Sequence, residues 1–183
     1  MPAAFSSPWN QIMKYPKHLK NFNVTFGVSE FSGVCEEITL PKIKYKTEEW
    51  RGAGMDAPIE IPVGLEKLEC TMKFGEQTIE GYLSAGVVLS GFVTVTIFGH
   101  IAAIDGTTDN LTCILRGWIK TVDPGTFKAG DPKSANQTLE MSVISWVMTR
   151  GVIPLVTIDV MRGITMHGPL DQHEAARKGL KLA

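Results

Sequence analysis

Apolar residues recur at every second position through most of this chain, and in two neighbouring segments the alternation slips by one residue. Period-two patterning marks a β-strand with one buried face, and a one-residue slip turns every following side chain to the opposite face. Val34, Ile38 and Leu40 fall on even positions, whereas Ile43 and Tyr45, beyond Pro41, are odd. Ile59, Ile61, Val63 and Leu65 are odd, and Leu68, Cys70, Met72 and Phe74 are even. One antiparallel register accounts for both segments, pairing Ile43 with Val63, Tyr45 with Ile61, Ile38 with Leu68 and Val34 with Met72. The slips near Pro41 and Glu66 then lie opposite each other as a shared bulge or bend, where proline is tolerated. Gly52 and Gly54 cap the resulting long β-hairpin. Beyond the bend each arm runs about eight residues, or ~26 Å. Two strands of that length are marginal alone in water, so the arm is built to lie on another subunit.

The tip Gly52-Ala53-Gly54-Met55-Asp56-Ala57 also satisfies the dinucleotide fingerprint G-x-G-x-x-G/A. That motif needs a helix straight after it to receive the pyrophosphate, and here Pro58 and the alternating run Ile59-Glu60-Ile61-Pro62-Val63 follow. A turn between strands is the consistent reading.

Elsewhere the pattern predicts an extended, proline-punctuated arm over residues 1–20 and a single domain over 21–183. Ile79, Tyr82, Leu83 and Gly86 follow helical spacing, which predicts one short mid-chain helix from Glu76 to about Val88. Strands are predicted over Phe92–Ile104 and Leu111–Val122, joined by the Asp105–Asn110 turn, and over Leu139–Thr149 and Ile153–Met161, joined by Arg150-Gly151. Asp171-Gln172-His173-Glu174 has the form of a capping box, so a short C-terminal helix follows, with Arg177, Lys178 and Lys181 suited to its C-terminal dipole.

A chain of 183 residues that is 44% hydrophobic supports one domain with a sizeable core. A formal net charge of -1 argues against a protein that grips nucleic acid along a basic surface. Cys35, Cys70 and Cys113 lie far apart, which signals neither a zinc ribbon nor a disulfide framework. His173-Glu174-Ala175-Ala176-Arg177 misses the zinc motif H-E-x-x-H by its last ligand, and an always-protonated guanidinium cannot replace it. Asp105 and Asp109 lack the further carboxylates of a calcium loop. Trp118 and Trp146, set among alternating apolar residues, read as core or interface. No apolar run reaches the length of a membrane helix, no signal-peptide h-region opens the chain, and the expectation is synthesis in a cytoplasm. The Asn23, Asn110 and Asn136 glycosylation patterns then carry no weight. No catalytic residue, metal site or cofactor is predicted.

The residues Val34-Cys35-Glu36-Glu37-Ile38-Thr39-Leu40-Pro41-Lys42 and Thr47-Glu48-Glu49-Trp50-Arg51-Gly52-Ala53-Gly54-Met55-Asp56-Ala57-Pro58 resemble the major tail tube proteins of contractile-tailed bacteriophages and R-type pyocins. Gly64-Leu65-Glu66, Leu115-Arg116-Gly117, Val122-Asp123-Pro124-Gly125 and the Asp171-Gln172 helix extend the likeness from about residue 21 to the end. The first 20 residues and Val152-Ile153-Pro154-Leu155-Val156 depart from the family pattern.

The resemblance implies a mainly β, antiparallel barrel or sandwich tail-tube fold with a long protruding β-hairpin, a fold shared with type VI secretion tubes. It implies a non-enzymatic subunit of hexameric rings that stack inside a contractile sheath as a conduit for DNA. Its partners would be further copies of itself, the sheath protein, tape measure protein and then duplex DNA in the lumen, and baseplate and tail terminator proteins at the ends. The setting would be a virion tail assembled in a bacterial cytoplasm. Inter-subunit and inter-ring contacts fall to Tyr45, Glu48, Glu49, Trp50, Arg51, Gly52, Gly54, Met55, Asp56 and Pro58. Four strands from each of six subunits, ~4.8 Å apart, would give a circumference of about 115 Å and a diameter near 37 Å before tilt, wide enough for a duplex. A bacteriocin tube without a genome is the nearest alternative; a nucleotide-binding enzyme rests only on Gly52-Ala53-Gly54.

Overall fold

A computed structural model describes residues 15–27, 29–85, 91–131 and 134–181. Its elements, in chain order, are β1 (His18–Phe26), β2 (Ser29–Glu30), β3 (Cys35–Thr39), β4 (Tyr45–Trp50), β5 (Ile59–Leu65), β6 (Leu68–Phe74), α1 (Ile79–Leu83), β7 (Val93–Ala102), β8 (Thr108–Asp123), β9 (Gln137–Arg150), β10 (Ile153–Asp159), β11 (Ile164–His167), β12 (Leu170–Asp171) and α2 (Glu174–Leu180). The fold is mainly β and antiparallel, as the alternation requires.

Ten strands belong to one sheet, and its shape is set by a fork on β9. Along one edge β9 pairs with β8 throughout. Along the other, its first half pairs with β6 from Gln137 to Val143, and its second half pairs with β10 from Ser145 to Arg150. One limb therefore runs β3-β6-β9-β8 and the other runs β11-β10-β9-β8-β7-β1, and they separate at Ile144, whose carbonyl accepts from Val160 N at 3.0 Å. The β8–β9 pairing carries two bulges, Ile144 on β9 opposite Arg116/Gly117 and Lys120 on β8 between Ile119 and Thr121, where added twist lets both limbs share the pair. At Gly117 the two strands approach so closely that a Cβ would stand 1.9 Å from the Ser142 carbonyl oxygen, which restricts the position to glycine.

The limbs enclose one core built from alternate residues of both, including Val24, Val95, Leu115, Met72, Met141 and Ile158. Phe26, Phe31 and Phe74 meet edge to face and tie β1 to β6 across it. Trp146 is buried and donates its indole N–H to Cys113 Sγ at 3.2 Å, which places it in the core as its pattern requires. Trp118 is half-buried.

Several expectations need correction. The slips near Pro41 and Glu66 do mark a bend, closed by Glu66 N donating to Lys44 O at 2.7 Å and by a Lys44–Glu66 ion pair at 2.8 Å. The register across it differs, however: Tyr45 faces Leu65 rather than Ile61, and Ile38 faces Met72 rather than Leu68. A shift by an even number of residues leaves every side chain on the same face, so apolar alternation is blind to it. A bulge at Lys46/Thr47 then brings Trp50 opposite Ile59. A separate bulge at Cys35/Glu37 sets Cys35 opposite Phe74, not Thr71.

The last residues of the expected N-terminal arm, His18–Lys20, are strand paired with β7; residues 1–14 lie outside the described residues. The mid-chain helix spans only Ile79–Leu83, and residues 86–90 of the expected helix lie outside the described ones. Its start is held by Gln137, fully buried, whose Oε1 accepts from Thr78 N and Oγ1. The predicted capping box does not form. Asp171 Oδ1 instead accepts from His173 N at 3.0 Å, while its carboxylate pairs with Arg177 one turn into α2.

Candidate functional site

β4 and β5 form a two-stranded sheet of their own. Its root is tied to the body by Tyr45, whose hydroxyl donates to Gln172 Oε1 at 2.8 Å and lies 3.5 Å from His167 Nε2. Beyond the root nearly every residue is exposed, including Trp50, Ile59, Ile61 and Val63. An isolated hairpin showing this much apolar surface is incomplete as a folded unit.

The tip is more ordered than its exposure implies. Arg51 Nε donates to the Met55 carbonyl at 3.0 Å, Met55 N donates to Gly52 O at 3.3 Å, and Gly52 N points at Met55 Sδ at 3.3 Å. Gly54 takes φ +85°, a left-handed turn position. Gly52 does not share that conformation. Its role is contact, because a Cβ there would lie 2.7 Å from Trp50 Cη2, so the missing side chain lets the indole fold over the turn. The two glycines of the fingerprint thus have separate structural tasks.

Across the two strands the pairing sorts the side chains by chemistry. Trp50 faces Ile59, and Glu48 faces Ile61. Glu49 faces Glu60 directly, a like-charge pair that destabilises the hairpin unless a cation meets it. No described cation lies within ion-pair distance of Glu48, Glu49 or Glu60. The structure gathers Trp50, Arg51, Gly52, Gly54 and Met55 at the tip, with Asp56 and Pro58 exposed in the descending loop and Glu48 and Glu49 on β4. It separates Tyr45 from them, at the root. Glu60, which completes the acidic pair, was visible only as the polar member of Ile59-Glu60-Ile61. Gln172 and His167 carried no signal, because they reach Tyr45 from more than a hundred residues away.

A second surface is the face of the β1-β7-β8-β9-β10-β11 limb turned away from the core. Three registered rows cross it: Thr25-Thr96-Ile114-Val147-Thr157-Met166, Asn23-Phe98-Thr112-Thr149-Pro154 and Thr94-Arg116-Ser145-Asp159-Ile164. Half of these residues carry hydroxyls or amides, and of the two charged ones Asp159 pairs with Arg162 at 3.9 Å while Arg116 lies over the Phe92 ring. The outward face of the β3-β6 limb differs: Glu37–Lys73, Glu69–Lys67 and the Glu69–Lys120–Glu140 cluster are ion pairs.

Among the described residues no group of three or more His, Cys, Asp or Glu could hold a metal, and no helix is long and apolar enough to cross a membrane. The sequence profile of the family described as Phage tail tube protein FII matches residues 16–180. The tail tube protein of Escherichia phage P2 is 27% identical over 169 residues, covering 88% of this chain and 96% of that protein. The major tail tube protein of Serratia phage KSP20 is 27% identical over 157 residues, covering 83% and 88%. The fold is shared with a chain of the extracellular contractile injection system PVC sheath-tube complex in its extended state, with a TM-score of 0.57 at 18% identity over 79% of this chain and 99% of that one. It is also shared with a chain of the anti-feeding prophage baseplate, with a TM-score of 0.57 at 16% identity over 76% and 99%.

Proposed function

The chain belongs to the phage tail tube protein FII family, and from that membership we propose how it builds and lines its tube. The observation that carries the reading is the match over nearly the whole described domain, residues 16–180. The protein is a structural subunit of a contractile-tail tube. Its copies form hexameric rings that stack, and the unpartnered β4–β5 hairpin is the connector between them through Trp50, Arg51, Gly52, Gly54, Met55 and Asp56, flanked by Glu48, Glu49 and Pro58, with Tyr45 fixing its root.

The hydroxyl- and amide-rich rows form the wall of the channel. Duplex DNA moving past a wall must not be held, and each cation on it would add a phosphate contact that slows transit. Uncharged hydroxyls and amides present no such trap, and of the cations beside them Arg162 pairs with Asp159 and Arg116 lies over Phe92. The ion-paired β3-β6 face is then the outer one, toward the sheath; tape measure protein precedes DNA in the lumen, and baseplate and terminator proteins close the ends. This division supports a non-enzymatic role in a virion tail assembled in the host cytoplasm. A particle without a genome, built for injection, would use the same tube, and the likeness of fold to an extracellular contractile injection system supports it as second reading. Nucleic acid recovered from purified particles separates the two.

Electron microscopy of the purified protein tests the assembly reading. Replacing residues 50–56 by a short Gly-Ser turn should leave a folded subunit that builds no tubes. Normal-length tubes from that variant would refute the hairpin's role.

A further inference from the structure

The described residues also leave an open recess beside β1. Leu19, Phe22, Ile38, Leu40, Ile97 and Leu111 line an apolar recess of about 100 Å³ between β1, β7, β8 and the end of β3. It shares Phe22, Gly99 and Leu111 with an open groove of about 570 Å³. Leu19, 50% exposed, lies across Gly99, where a Cβ would meet its Cδ1 at 2.8 Å. Beside it runs a free strand edge, since β2 pairs only with Thr25 and Phe26 and leaves the outer side of β1 from His18 to Asn23 without a strand partner among the described residues. Cations border the site: Lys20 is the bulged residue of β1, Lys42 follows the end of β3, and no described carboxylate lies within ion-pair distance of either.

Resting on the reading of the hairpin as connector, we propose that this recess and the adjoining β1 edge are its receptor: the β4–β5 hairpin of a second copy docks there. The two surfaces are complementary in three respects. The hairpin offers Trp50, Ile59 and Ile61 to an apolar recess that no described residue of the same chain fills. It offers Glu48, which shares the face of Trp50, Ile59 and Ile61 and has no described partner, to Lys20 and Lys42. It also offers a strand with a free edge to a strand with a free edge, and pairing them satisfies backbone groups that each leaves open. Donor and receptor are different surfaces of one subunit, so the contact is heterologous and propagates.

The test is a mixing experiment in a Cys35→Ser background. Subunits carrying Leu19→Cys are mixed with subunits carrying Ile61→Cys, assembled and oxidised. Both positions are half exposed, and Lys20→Cys with Glu48→Cys provides a second, fully surface pair on the same hairpin face should the first not fold. The expected result is a disulfide-linked dimer from each mixture and none from either subunit alone. Tubes that assemble without this link, or that link Ile61→Cys to Phe127→Cys at the far end of the sheet instead, overturn the receptor and leave the connector standing. Tubes from the Gly-Ser hairpin variant would overturn both.

Discussion

Replacing Trp50 by alanine removes the largest apolar group of the hairpin, and its effect on assembly follows from its exposure. The residue is 53% exposed in the free subunit. A tryptophan buries up to ~250 Å², so about 130 Å² of it remains to be covered on docking, worth about 3 kcal/mol at ~25 cal/mol per Å². The indole already lies over Gly52, so little rotamer freedom is left to lose on docking, and the alanine retains a small part of the contact. A loss of about 2–3 kcal/mol remains. In a heterologous assembly each added subunit makes this contact once, so the concentration needed for tubes rises by about 30- to 150-fold. Sedimentation of tubes across a concentration series, with electron microscopy of the pellet, reads this directly. Circular dichroism should show an unchanged body, because β4 and β5 form a separate sheet. A shift of less than about threefold would mean that Trp50 stays in solvent after assembly, and the hairpin would then not dock through its apolar face.

Three further outcomes concern the subunit itself. Gly117→Ala drives a Cβ against the Ser142 carbonyl and forces β8 from β9 at the fork, so a loss of about 3 kcal/mol and a fall of about 10 °C in Tm is expected by thermal melting; a change under about 2 °C would mean that the fork is looser than described. Asp171 is held below the usual carboxylate range, first by its bond with Arg177; its contribution is therefore complete above its unfolded value near ~3.9 and is lost as pH falls through the lower folded one, so Asp171→Asn should flatten the acid limb of a pH–stability curve below about pH 4. Burial pushes the Cys70 thiol up to about 12 and those of Cys35 and Cys113 to about 11, so at pH 8 a thiol reagent should label the folded subunit slowly, with half-buried Cys35 first, and all three at once in denaturant.

The strands of the second and third hairpins were legible to within a few residues, because β7 to β10 are half-buried on one sheet and alternate without ambiguity. The bend at Pro41 and Glu66 was legible for the same reason, since both strands change face there. What alternation cannot convey is displacement by an even number of residues: next to the bend the register was misplaced by four, and past the bulges at Lys46/Thr47 and Cys35/Glu37 by three. The bulge at Lys46/Thr47 left no mark either, because the exposed arm has no buried face to impose a phase. The fork at Ile144 was out of reach in principle. It depends on which strand claims each half of the β9 edge, and both β6 and β10 offer the same alternation. At the candidate site the tip residues were identified through resemblance, while their root partners, the acidic opposition of Glu49 and Glu60 and the recess beside Leu19 required three-dimensional proximity.

The hairpin's own composition argues that it is meant to be completed by another copy. A strand pair intended to stand in water would carry charges of both signs opposite each other and keep large apolar groups away. β4 and β5 do the reverse, setting Glu49 against Glu60 and Trp50 against Ile59. Glu49 against Glu60 is unfavourable in the free subunit, and Trp50 against Ile59, though it stabilises the hairpin, leaves apolar surface in water on the other face. The acidic pair also works against the wrong partner. Two free hairpins that met edge to edge would bring four glutamates together, a cost that discourages premature association through the very strands most exposed to it. The two faces of the arm thus have separate effects: its acidic face keeps like arms apart, while its apolar face stays free for a different surface.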